Sequence, residues 1–156
     1  MSPCTGIWPR KRYIFFIAST TNTLIKLQDA SGTVLQVVQL TNGWSHELRL
    51  RIRGEDADAG RGYHHRGAVS GSIPFKAPEE RDDWCNQVEG FLADAGSSSV
   101  RIRTGRYGRS GGHLERDTDD TLLLTIKSPR YSNSYRFRIA DPAVITELIS
   151  VLRSVD

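Results

Sequence analysis

Shifted against itself by 64 residues, the sequence lays Ile73 on Phe137, Phe75 on Ile139, Pro78 on Pro142, Trp84 on Leu148, Val88 on Leu152 and Phe91 on Val155. An apolar strand, a helix opened by proline and the stripe along that helix coincide without a gap. Such internal similarity dictates a doubled architecture before any single element is assigned. Further upstream Leu48, Leu50 and Ile52 match Leu122, Leu124 and Ile126 at a shift of 74, so the first copy carries a loop about ten residues longer. Ile25 and Leu27 fall on Val100 and Ile102 at a shift of 75.

Within each copy the apolar residues alternate. Leu48, Leu50 and Ile52 share one face and Arg49, Arg51 and Arg53 the other, the period-two pattern of a strand buried on one side. Val100 and Ile102 alternate in the same way with Arg101 and Arg103, and Tyr135, Phe137 and Ile139 with Arg136 and Arg138. The pattern predicts strands near 12–19, 23–29, 33–40, 46–53, 69–76, 98–104, 112–117, 121–127 and 134–139. Asp29-Ala30-Ser31-Gly32 and Thr41-Asn42-Gly43-Trp44 read as hairpin turns. Two segments follow a helical period instead. In 78–95, Trp84, Val88, Phe91 and Leu92 form one stripe, with Pro78 at the first turn and Gly96 beyond the end. In 142–154, Ile145, Leu148, Leu152 and Val155 form another, behind Asp141 as N-cap and Pro142.

The expected fold is therefore α+β: two repeats of four antiparallel strands plus one helix, about 12–96 and 97–156, in a single domain with an extra N-terminal strand and an arm at 1–11. A chain of 156 residues with 38% apolar residues has room for one packed core. Each sheet has one apolar face, and each repeat supplies one helix to cover it. The opposite sheet face is expected to stay wet.

Net charge is only +3, but residues 76–95 hold two basic and six acidic groups, leaving +7 for the rest. Seventeen of the 21 basic residues are arginine, whose planar fork suits phosphate and stacks on rings. The Arg49, Arg51, Arg53, Arg101, Arg103, Arg136 and Arg138 face can follow a phosphate backbone, with cations about 7 Å apart along a strand and about 5 Å between strands. Two loops add cations, glycines and one ring each on which a base can stack: Arg61, Tyr63 and Arg66 within 60–67, and Arg106, Tyr107 and Arg109 within 104–112. The Pro9-Arg10-Lys11-Arg12-Tyr13 cluster reads as a solvated arm, and Trp44 as a turn residue whose ring can stack or plug a partner's pocket.

Other chemistry is poorly supported. His64 and His65 are adjacent and face opposite ways in an extended chain, and His46, His113 and Cys85 lack ligand spacing, so no metal, cofactor or catalytic constellation is expected. Cys85 beside Trp84 reads as a small buried hydrophobe, and the Glu79-Glu80-Arg81-Asp82-Asp83 run as first-turn charges that complement a helix dipole. The longest apolar run, Tyr13 to Ala18, is six residues against about twenty for a bilayer span. Two cysteines and no long apolar leader suggest a reducing, intracellular compartment. The acid-free residues 1–28 invite an organellar targeting reading with cleavage before Arg10.

A doubled four-strand-plus-helix unit over about 23–155 resembles the Pur and Whirly families of single-stranded nucleic-acid-binding proteins and the related mitochondrial RNA-binding proteins of guide-RNA systems. That resemblance, one of topology, implies non-enzymatic binding of single-stranded RNA or DNA across curved sheet faces, usually as a homo- or hetero-oligomer. A second resemblance is local. Ile73-Pro74-Phe75-Lys76-Ala77 followed by Glu79-Glu80-Arg81-Asp82-Asp83-Trp84 looks like the last strand and terminal helix of a pleckstrin-homology-like module. It implies an adaptor or assembly subunit that binds a protein segment or an acidic lipid headgroup. An acidic protein meeting the arginine face is a further expectation.

Overall fold

The computed structural model describes residues 19–43, 45–54, 70–128 and 133–155. Four strands come first: β1 (Ser19–Gln28), β2 (Val34–Asn42), β3 (Ser45–Arg53) and β4 (Ser70–Phe75), followed by helix α1 (Pro78–Ala93). The pattern then recurs as β5 (Ser99–Thr104), β6 (Arg109–Arg116), β7 (Leu122–Lys127) and β8 (Ser134–Ile139), followed by helix α2 (Pro142–Ser154). A short 3-10 turn, Thr118–Asp120, links β6 to β7. Each quartet is an antiparallel meander in chain order. The doubled α+β architecture read from the repeat is thus the one observed. The extra N-terminal strand over 12–19 lies outside the described residues except for Ser19, which opens β1.

The local chemistry explains the element ends. Between β1 and β2 the Asp29 carboxylate accepts hydrogen bonds from Ser31 N (3.0 Å), Ser31 Oγ (2.7 Å) and Thr33 N (3.0 Å), and Gly32 takes a φ of +90°. Side-chain oxygens that bond the backbone two residues on are how Asp makes a tight turn. β6 begins three residues earlier than expected because Arg103 and Thr104 pair with Ser110 and Arg109, with a bulge between Arg101 and Arg103. The glycines at 105 and 108, with φ of +75° and +63°, confine the loop to the hairpin tip.

The aligned stripes face the core as the repeat requires. Leu48, Leu50, Ile52, Ile73 and Phe75 are buried, as are their counterparts Leu122, Leu124, Ile126, Phe137 and Ile139. Trp84 is 1% exposed, meets Phe75 edge-on at 6.3 Å and donates its Nε1 proton to Gly111 O at 2.8 Å. Cys85 is buried too, as expected, and burial pushes its thiol up to about 11.

The covering arrangement differs from one helix per sheet. The two apolar faces meet each other, with β4 against β6, β7 and β8, and α1 packs mainly along β5 of the second sheet. There the Gln87 side chain accepts from Arg103 N (3.1 Å) and donates to Arg103 O (2.6 Å), closing the edge of β5 as a partner strand would. At the crossing of the sheets, a Cβ on Gly71 would lie 2.8 Å from Ile126 O and 3.0 Å from the Tyr135 ring. Only glycine allows the strands this close.

Arginine also holds the helix ends. Arg116 lies 4.6 Å over the Phe91 ring and donates to Phe91 O and Asp94 O at the C-terminal end of α1 and to Ser97 O in the loop beyond it. Arg81, 7% exposed, does the same for α2 through Leu152 O (3.1 Å) and Val155 O (2.6 Å). Neither role is visible as a pattern in sequence.

Candidate nucleic-acid interface

The outer face of the second sheet is built from residues that alternate with the core. Register pairs Arg101 on β5 with His113 on β6, His113 with Thr125 on β7, and Thr125 with Arg136 on β8. A neighbouring line pairs Arg103 with Ser110 and Lys127 with Ser134. These side chains, with Gly112 and Glu115, line a concave basin of about 480 Å³. Cations stand on its two walls, Arg101 and Arg103 on β5 and Lys127 and Arg136 on β7 and β8. The β5 and β8 backbones are separated by three strand spacings, or about 14 Å. The floor between them is small and polar. Among the described residues no carboxylate pairs with Arg101, Arg103 or Lys127.

Past one end of the basin runs the β5–β6 hairpin. Tyr107 at its tip is 83% exposed, the one large apolar side chain so exposed among the described residues, and the Arg106 guanidinium sits 5.8 Å from the ring centre. Arg109 is exposed at the start of β6. The basin therefore brings together Arg101, Arg103 and Arg136, with Arg106 and Tyr107 on the adjoining hairpin, whereas Arg109 pairs with Thr104, whose side chain is buried on the core side, and so faces away from the basin. The sequence reading missed Lys127 and His113. The strand alternation that placed Arg101 and Arg136 on this face carries the same signal for both.

Arg138 belongs elsewhere. It is on the same sheet face but bonds the Asp117 carboxylate and Thr121 Oγ1 (3.3 Å). The hydrogen bond from Arg138 holds the Asp117 carboxyl below its ordinary value. The Arg138 backbone N–H donates to Asp29 Oδ2 at 3.1 Å, tying the first hairpin to the edge strand of the second sheet. Burial raises the Asp29 carboxyl, but bonds from Ser31, Arg138 and Thr33 outweigh it and leave a net lowering.

The corresponding face of the first sheet is not uniformly wet, contrary to the strand alternation alone. Register sets Val38 opposite Arg49 and Gln36 opposite Arg51, and Val38 is 1% and Gln36 9% exposed. β2 is an interior strand whose residues 35–38 are buried on both faces, so alternation on β3 says nothing about it. Arg49 is ion-paired with Glu47 at 2.5 Å. Arg51 is half-buried; desolvation, then the adjacent Arg53 and Arg49 charges, lower its affinity for a proton. Arg53 is exposed. Arg61, Tyr63, Arg66 and Trp44 lie outside the described residues.

Among the described residues no cluster of three or more His, Cys, Asp or Glu could hold a metal ion, and no helix is long and apolar enough to cross a membrane. Fold and basin together define a doubled four-strand-and-helix protein with a cationic concavity on one sheet. No protein-family model matches the chain, and no curated protein is significantly similar to it.

Proposed function

We propose that the chain binds single-stranded nucleic acid, RNA ahead of DNA, without catalysing a reaction. The observation that carries this reading is the basin, where four cations surround a polar floor with Glu115 as its single carboxylate. Phosphates meet the walls, and a base stacks on the exposed Tyr107 ring, beside the Arg106 guanidinium. The topological likeness to Pur and Whirly proteins supports the same class of ligand.

Fluorescence polarisation with a mixed-sequence single-stranded RNA over a salt series tests it. Five cations, from Arg101, Arg103, Arg106, Lys127 and Arg136, acting on five phosphates give a log–log slope near −3.5, at about −0.7 per contact. Arg101→Ser with Arg103→Ser lowers affinity and flattens the slope by about 1.4 while the unfolding midpoint stays nearly constant. Arg49, Arg51 and Arg53 are a secondary contact on the first sheet, and their replacement changes affinity less. Absence of binding at low salt would refute the proposal and favour the adaptor reading, in which the same cations meet an acidic protein segment or lipid headgroup.

A further inference from the structure

His113 occupies the centre of the basin. It is half-buried on β6, with Arg101 across one strand gap and Thr125 across the other. The charged groups that share this concavity are Arg101 and Arg103 from β5, Glu115 from β6, Lys127 from β7 and Arg136 from β8. Among the described residues the ring has no hydrogen-bond partner. The rest of the floor, Ser110, Gly112, Thr125 and Ser134, carries no charge. Histidine is the side chain that ordinarily changes charge between pH 5 and 8.

Resting on the nucleic-acid reading of this basin, we infer that His113 makes the binding of single strands proton-dependent, with the imidazolium supplying a fifth cationic contact from the floor. A phosphate that spans the walls passes over the ring and favours its charged form, so complex formation is coupled to proton uptake at His113. By reciprocity a proton added at His113 tightens the complex. The neutral ring leaves the wall cations to hold the strand at higher pH, which makes the device a modulator rather than an on–off gate.

The test uses the full chain and a short oligouridine carrying a pH-insensitive fluorophore, because uracil does not titrate between pH 5.5 and 8. Wild-type Kd tightens at least about tenfold from pH 8 to pH 5.5, the low end of what one hydrogen bond to a charged group is worth. The salt slope steepens by about 0.7 over the same range. His113→Gln binds equally at both pH values. His113→Arg binds at pH 8 as the wild type does at pH 5.5 and is likewise flat, a gain that misfolding cannot mimic. His46→Gln, at a ring bonded to Thr41 on the first sheet, keeps the wild-type pH profile. A flat wild-type profile, or a pH response that survives in both His113 variants, overturns the inference while the nucleic-acid reading stands. No binding by any variant at low salt refutes that reading itself, and this inference with it.

Discussion

Adding a single methyl group at each of two glycines has opposite outcomes in this fold. At Gly71 a Cβ would sit 2.8 Å from the Ile126 carbonyl oxygen and 3.0 Å from the Tyr135 ring, where neither backbone nor buried ring yields without moving β7 or β8. Gly71 does not require the left-handed region, so alanine itself is conformationally acceptable and contributes about 0.5–1 kcal/mol by restricting the unfolded chain. Overpacking outweighs that gain at about 1–3 kcal/mol. Gly71→Ala therefore destabilises by about 1–2 kcal/mol, and at about 2–4 °C per kcal/mol in a chain of this size it lowers Tm by several degrees. Gly90 is exposed within α1, and nothing lies within 4 Å of its Cβ. Gly90→Ala stabilises by about 0.5–1 kcal/mol because helix-interior glycine is disfavoured by that amount. Urea and thermal unfolding followed by far-UV circular dichroism measure both. A Gly71→Ala protein as stable as the wild type would mean that the two sheets do not meet at this point, and the face-to-face core would have to be abandoned.

Three further outcomes follow from named contacts. Arg116→Met keeps the stem over Phe91 but removes the donors to Phe91 O and Asp94 O at the end of α1 and to Ser97 O beyond it; urea titration should show a loss of about 1.5–3 kcal/mol, only partly restored by lysine. Because folding lowers the Asp29 carboxyl, the stability it contributes is complete above the carboxylate range and disappears as pH falls through it. The unfolding midpoint of the wild type should therefore drop below about pH 4, with Asp29→Asn showing a shallower fall. Cys85, with its thiol pushed up to about 11, should resist iodoacetamide in the native protein at mildly alkaline pH and react once urea unfolds the chain, as read by mass spectrometry.

The elements and their doubling were legible because periodicity and self-similarity are local properties of the chain. Tyr135, Phe137 and Ile139 had to share a face, and Pro142 behind Asp141 had to start a helix, whatever lay beyond. The direction of each arginine on its own strand was legible for the same reason. Alternation names a face but not its neighbours, its curvature or its counter-ions. Only the folded chain set Lys127 and His113 beside Arg101 and Arg136, tied Arg138 to Asp117, and turned Arg81 and Arg116 inward to helix ends. It also crossed α1 onto the second sheet, because two apolar sheet faces bury more by meeting each other than by each taking one narrow helix. Those choices depend on groups far apart in sequence, so they were decided by the packing of the whole rather than by any stretch of it.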